Sequence, residues 1–272
     1  MKRKAAAPRK GRRLAMKTVI LAGGKGTRLA EETVTRPKPM VEIGGKPVLW
    51  HIMNIYAHHG FKDFVVACGY RGEMIVDYFR NFHLYNAEAT FDLRTGAVEK
   101  HTNGSPDWRV TLVPTGLETQ TGGRVRRLAG LLDGGPFMVT YGDGVGNVDV
   151  GGLIDFHRRH GKLATMTVVR PPSRFGIMKL DQDRVVKFEE KPQVHEGWIN
   201  GGFMVFEPEV LSWIKDDQTI LEREILSRLA NEGELQAFRH HGFWQPMDNI
   251  REKHFLEGLW AEGRAPWKVW ED

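Results

Sequence analysis

Between residues 17 and 169, short β-branched apolar runs alternate with segments of helical spacing, and this alternation constrains the fold more than any other feature. Lys17-Thr18-Val19-Ile20-Leu21-Ala22 is apolar at consecutive positions and ends at Gly23-Gly24, which is how a strand covered on both faces reads. Residues 48–59 place Leu49, Ile52, Ile55 and Tyr56 on one helical face, and Gly60 stops the pattern. Strands are predicted over 63–68, 110–113, 137–141 and 163–169, and helices over 72–82, 123–132 and 151–161. Such an order implies an α/β fold, Rossmann-like, with a mostly parallel central sheet and helices on both faces. Beyond residue 170 the pattern predicts a small β-hairpin addition (175–180 with 184–189, around Asp181-Gln182-Asp183), a strand over 202–206, and helices over 208–214, 221–232 and 251–262. Residues 83–108 are poorly patterned and read as a long excursion or a small hairpin, the kind of segment that serves as a lid or subunit contact.

At 272 residues and 41% hydrophobic, the chain can bury one substantial α/β core. No apolar run approaches the roughly 20 residues of a membrane-spanning helix, so no membrane partner is expected. The net charge of +5 invites a nucleic-acid partner, but it belongs to one end. Residues 1–15 carry seven basic side chains and no acidic one, leaving 32 basic against 34 acidic residues in the rest. Residues 1–15 therefore read as a basic disordered tail, and no nucleic acid is expected on the folded body. The tail lacks the apolar segment of a secretory signal. Cys68, the only cysteine, lies in the apolar run Phe64-Val65-Val66-Ala67-Cys68 and reads as a buried thiol, compatible with a reducing, cytoplasmic setting. The eleven histidines show no zinc spacing, and the aromatic group Phe243, Trp244, Trp260, Trp267 and Trp270 reads as core or subunit contact.

The chemistry begins at Leu21-Ala22-Gly23-Gly24-Lys25-Gly26-Thr27-Arg28-Leu29, followed by Arg36-Pro37-Lys38-Pro39-Met40. Glycines allow a backbone to approach a triphosphate and present its N–H groups. Thr27 adds a hydroxyl, Arg28 a planar fork matched to phosphate, and Lys38 a point charge on a segment stiffened by two prolines. The string is not a P-loop, since Gly26 is followed by Thr-Arg, and it does not fit GxGxxG. A second signal, Tyr141-Gly142-Asp143-Gly144, follows a predicted strand directly. An aspartate at the C-terminal end of a parallel strand stands where open α/β sheets bind ligands, and its carboxylate suits Mg2+. Asp248, in Phe243-Trp244-Gln245-Pro246-Met247-Asp248, is a candidate second carboxylate for the same ion.

With these motifs the chain resembles the sugar nucleotidyltransferases over residues 16–272, which read as one nucleotidyltransferase domain. The family features are the residue 23–29 loop, Arg36 to Met40, Gly142-Asp143-Gly144 and Glu189-Glu190-Lys191-Pro192. Thr119-Gln120-Thr121-Gly122-Gly123-Arg124, Ile199-Asn200-Gly201-Gly202-Phe203, Gly242 to Asp248 and Ala265-Pro266-Trp267-Lys268-Val269-Trp270 resemble the branch that uses CTP and glucose 1-phosphate to make CDP-glucose. The resemblance implies the nucleotide-diphospho-sugar transferase fold. It implies that Leu21, Ala22, Gly23, Gly24, Lys25, Gly26, Thr27 and Arg28 hold the nucleotide with Lys38, Thr119, Arg124, Arg126 and Gly142. Arg28 and Lys38 would be catalytic, Asp143 and Asp248 would bind Mg2+, and Glu190, Lys191, Asn200 and Gly201 would hold the sugar phosphate. It also implies a homo-oligomer, a trimer-based hexamer in that branch, and product use in bacterial surface polysaccharide.

Lys25 stands where that branch more often has an apolar residue, Gly146-Asn147 replaces a Ser-Asp-like pair, and the stretch from Arg124 to Asp143 is one residue short. Three other readings stay open on the residues: a uridylyl- or thymidylyltransferase with the same machinery, a non-catalytic sugar-nucleotide sensor, and a polyanion-binding protein acting through the tail.

Overall fold

Thr18–Ala22 (β1) is buried at every residue, and its side chains divide between two cores. Ile20 and Ala22 enter one while Val19 and Leu21 enter the other, as a pleated strand requires when both faces of its sheet are covered. The computed structural model describes residues 16–101, 105–132, 134–171, 177–182, 184–189 and 197–271. The predicted basic tail, and Glu190 and Lys191, lie outside them.

The sheet has seven strands: β1, Asp63–Cys68 (β2), Arg109–Pro114 (β3), Phe137–Tyr141 (β4), Ala164–Val169 (β5), Ile199–Phe206 (β6) and Leu235–Arg239 (β7). Their order is β7-β5-β6-β4-β1-β2-β3. Pairings are parallel except the two made by β6, which runs antiparallel to β5 and β4. Val48–His58 (α1), Gly72–Arg80 (α2), Val150–His160 (α4) and Ile250–Ala261 (α5) cover one face through Leu49, Ile52, Ile75, Leu153 and Leu256, and Thr121–Arg127 (α3) covers the other through Val125. The doubly covered, mostly parallel sheet expected from the sequence is the one observed. Cys68 is buried at the end of β2, and burial pushes its thiol up to about 11, which keeps it protonated and inert.

The differences lie where tertiary contacts override local pattern. Residues 208–214 form a 3-10 segment, Pro208–Trp213, instead of a helix. Residues 221–232 divide into a π-helical turn, Leu221–Leu226, and a short helix, Ser227–Asn231. α3 begins two residues earlier than predicted and ends at Arg127, with a 3-10 turn over Ala129–Leu131. Strand β6 extends back through the glycine pair to Ile199, and β7 was not predicted. The 83–108 excursion, by contrast, contains a small hairpin as expected, Ala89–Asp92 with Ala97–Lys100. Among the described residues no helix is long and apolar enough to cross a membrane.

The C-terminal segment is pinned by Trp267, fully buried against Phe243, Trp260 and His51. His51 Nε2 lies 2.8 Å from the Ile43 carbonyl, and Trp267 Nε1 donates to His51 Nδ1 at 3.3 Å. One ring nitrogen must donate and the other accept, so the imidazole is neutral, and burial lowers its pKa to about 4.

Candidate active site

Register brings the two glycine-bearing loops together. β1 and β4 pair in parallel with Leu21 opposite Tyr141, so the residue 23–28 loop and Gly142-Asp143 leave the sheet side by side at its C-terminal edge. The Gly142 N–H closes this junction by donating to the Leu21 carbonyl at 3.0 Å. Because β1 has β2 on one side and β4 on the other, the opening lies where chain connections diverge, the usual ligand site of open α/β sheets. A cleft of about 330 Å³ occupies it, lined by Leu21, Ala22, Gly23, Gly24, Gly26, Thr27, Arg28, Lys38, Pro39, Thr119, Gln120, Thr121, Arg124, Tyr141, Gly142 and Asp143. Gly26 adopts φ 64°, a left-handed conformation that turns the chain into Thr27–Leu29, and the Thr33 hydroxyl holds that turn through the Gly26 and Leu29 carbonyls.

Asp248 arrives by a different route. Trp244–Pro246 pairs antiparallel with Gly144–Gly146, Pro246 opposite Gly144, and the Met247 N–H donates to the Asp143 carbonyl at 2.8 Å. That ladder sets Asp248 beside Asp143. Asn249 then caps α5 by accepting from the Glu252 N–H, while the Glu252 carboxylate accepts from the Asp248 N–H at 2.6 Å.

The two carboxylates meet on one positive point. Lys38 Nζ, its side chain 10% exposed, lies 2.7 Å from Asp143 Oδ2 and 2.5 Å from Asp248 Oδ1. Arg28 reaches the other oxygen of Asp248 at 2.8 Å. Burial works against the Lys38 charge, but Asp143 and Asp248 outweigh it and raise its pKa above the ordinary lysine value. The residues fit a divalent cation: two hard carboxylate oxygens already share the first shell of one cationic centre, the ammonium standing in for an ion.

Beneath the loop, Arg124 is buried and spends its guanidinium on the protein. NH1 donates to the Thr115 hydroxyl at 2.7 Å and the Gly116 carbonyl at 2.8 Å, and lies 3.4 Å from the Cys68 carbonyl; NH2 donates to Gly23 at 3.2 Å and Leu117 at 3.3 Å. A Cβ on Gly23 would lie 2.1 Å from NH1, so the loop comes this close only because the residue is glycine.

A family model described as nucleotidyl transferase matches residues 17–272. The chain belongs to the nucleotidyl transferase family. The chain is 52% identical over 257 residues to the glucose-1-phosphate cytidylyltransferase of Salmonella typhi, a match covering 94% of this chain and 100% of that relative. It is 33% identical over 252 residues to the mannose-1-phosphate guanyltransferase of Saccharomyces cerevisiae, covering 89% of this chain and 63% of that protein. The crystal structure of HddC from Yersinia pseudotuberculosis shares the fold, with a TM-score of 0.67 at 22% identity over 90% of this chain and 99% of that one.

In this nucleotidyl transferase the cleft gathers most of the residues expected from sequence, with exceptions. Lys25 is absent from the lining, and its ammonium is held by Glu118 at 3.0 Å. Arg126 is exposed, away from the lining and within electrostatic reach of Asp217. Arg124 lines the cleft, but its fork is turned to carbonyls and a hydroxyl instead of standing free for phosphate. Asn200 stands behind Tyr141, donating to its hydroxyl at 3.0 Å, and the Gly201 carbonyl accepts from Trp244 Nε1 at 2.8 Å. Pro39, expected to stiffen the Lys38 segment, also lines the cleft, as do Gln120, Thr121 and Tyr141, to which no individual role was given. Gln120 and Thr121 lay in view inside the Thr119 to Arg124 motif, and Tyr141 immediately precedes Gly142-Asp143.

Proposed function

We propose that the protein transfers the cytidylyl group of CTP to glucose 1-phosphate, giving CDP-glucose and pyrophosphate. The observation that carries the reaction class is the meeting of Asp143, Asp248, Lys38 and Arg28 at the mouth of a glycine-lined cleft. The base and sugar are supported by the 52% identity to the Salmonella typhi cytidylyltransferase.

A phosphate oxygen of the sugar 1-phosphate attacks the α-phosphorus in line with the departing pyrophosphate. That oxygen is anionic near neutral pH, so no general base is needed. The demand is to align two polyanions, and positioning can lower such a barrier by ~7–11 kcal/mol in favourable cases. Residues 21–28 cradle the triphosphate. Lys38 and Arg28 exchange their carboxylate partners for phosphate oxygens and offset charge developing on the leaving group. Asp143 and Asp248 hold Mg2+, which supplies Lewis-acid neutralisation of the phosphates. Glu190 and Lys191, with Asn200 and Gly201, hold the sugar phosphate. The reading extends to a cytoplasmic homo-oligomer, a trimer-based hexamer. Self-association, though not the subunit number, is supported by exposed apolar side chains around the 89–100 hairpin: Tyr85, Phe91, Leu93 and Val98. Light scattering after size exclusion checks the subunit number.

Pyrophosphate release measured for CTP, UTP, dTTP and GTP, each with glucose 1-phosphate and mannose 1-phosphate, tests the activity. The highest kcat/KM is expected for CTP with glucose 1-phosphate. A higher value for UTP or dTTP reassigns the base, and release from no pair overturns the transferase reading.

A further inference from the structure

One carboxylate beside the cleft has no part in the reaction above. Glu222, half-buried in the π-helical turn Leu221–Leu226, accepts from the Tyr141 hydroxyl at 2.6 Å through Oε1 and from the Thr121 hydroxyl at 2.7 Å through Oε2. Both donors line the cleft. A π turn carries one extra residue relative to an α turn, re-aiming side chains, and such turns concentrate at functional sites.

The hydrogen-bond directions along this chain are determined. The Gly202 N–H can only donate, so the Asn200 atom 2.8 Å from it is the amide oxygen, and Asn200 turns its Nδ2 to the Tyr141 hydroxyl. The phenol accepts from Asn200 and has one proton of its own, which goes to Glu222. Burial and then the Glu222 charge raise the Tyr141 pKa, so the phenol stays a neutral donor. The edge of the ring packs against Gly202, where φ is 82° and a Cβ would stand 2.7 Å from Cδ2. Among the described residues, the second Nδ2 proton of Asn200 has no partner. On the other oxygen, Thr121 accepts from the Leu221 N–H at 2.9 Å, so that contact ties α3 to the π turn.

We infer that Glu222 is a positioning residue for the sugar phosphate: by taking the Tyr141 proton it fixes the phenol as an acceptor for Asn200, which then presents its remaining amide N–H to a sugar hydroxyl. This rests on the transferase reading above. Glutamine at 222 keeps the shape but has one acceptor oxygen for two hydroxyl donors, and an NH2 that turns the phenol round.

The test is steady-state pyrophosphate release with CTP and glucose 1-phosphate. Glu222→Gln is expected to raise the KM for glucose 1-phosphate by up to about tenfold, the upper end of what one neutral hydrogen bond to the sugar contributes, with the KM for CTP within about twofold of wild type. Tyr141→Phe should reproduce the effect, and the double variant should be no worse than Tyr141→Phe alone, as members of one chain behave. Thr121→Val should leave the KM for glucose 1-phosphate within about twofold, whatever it does to that for CTP. An unchanged sugar-phosphate KM in Glu222→Gln, an equal rise in both KM values, or a Thr121→Val that matches Glu222→Gln overturns the inference. Should Glu222→Gln fail to fold by thermal melting, Tyr141→Phe decides alone, an unchanged sugar-phosphate KM refuting it. Wild type that releases no pyrophosphate from any pair defeats the transferase reading, whereas active wild type with an indifferent Glu222→Gln defeats this inference only.

Discussion

Replacing Lys38 by methionine should make the protein without nucleotide bind a divalent cation more tightly. The ammonium sits where a shared ion would lie, 2.7 Å from Asp143 and 2.5 Å from Asp248. An incoming cation must displace it from two charge-assisted hydrogen bonds. Such bonds are worth about 1.5–3 kcal/mol each, so even one, at the lower end, corresponds to about a tenfold change in affinity. Lys38→Met removes the competing ammonium and keeps an unbranched apolar stem one atom shorter. Mn2+ binding followed by electron paramagnetic resonance at pH 8 in the absence of CTP should show a dissociation constant at least tenfold lower than wild type. Adding CTP should tighten binding more in wild type than in the variant, because only wild type has an ammonium for the triphosphate to draw away. Unchanged or weaker Mn2+ binding in Lys38→Met refutes the claim that Lys38 and the cation compete for the same two carboxylates.

Asp143→Asn should cost at least about a hundredfold in kcat, a typical scale for losing an electrostatic stabiliser. Its melting temperature should stay near that of wild type, since the side chain is 30% exposed; near-normal turnover with Mg2+ contradicts its role. Arg124→Lys should lower stability by about 2–4 kcal/mol in urea titration, because one ammonium cannot serve five acceptors and the orphaned ones cost about 1–3 kcal/mol each. The KM for CTP should rise with it, and a variant as stable as wild type argues against the brace. Acidification should destabilise the protein through His51. Its folded pKa of about 4 lies below the unfolded value, so the unfolded state takes up the proton first; the contribution is complete above the ordinary pKa of 6.5 and fades toward pH 4. His51 alone amounts to about 2 kcal/mol between pH 6.5 and 5. His157, also lowered to about 4 by burial and then Arg158, adds in the same direction. Urea midpoints that rise on acidification over that interval contradict this.

The central strands were legible because burial on both faces leaves unbroken apolar runs, as in Phe64 to Cys68 and Phe137 to Val139. Leu235–Arg239 was not, because an edge strand with half-exposed and exposed residues carries little pattern. The anion-binding loop and both aspartates were visible as motifs, but their convergence was not. Lys38 is 105 residues from Asp143 and 210 from Asp248, and what joins them is a ladder of three-residue strands with no periodicity of their own. Arg124 reads in sequence as a phosphate ligand. Its role as a brace depends on carbonyls from distant parts of the chain, at Gly23, Cys68, Gly116 and Leu117, that no local pattern reveals. Glu222 had no signal, since its orientation comes from a π turn inside what otherwise reads as an ordinary helix.

Anomalous diffraction from crystals grown with Mn2+ and CTP addresses the shared cation most directly. One peak is expected in the cleft, about 2.1 Å from a carboxylate oxygen of Asp143 and one of Asp248, with Lys38 withdrawn toward the triphosphate. A peak bound by neither aspartate, or bound CTP with Lys38 still lodged between them, contradicts the account.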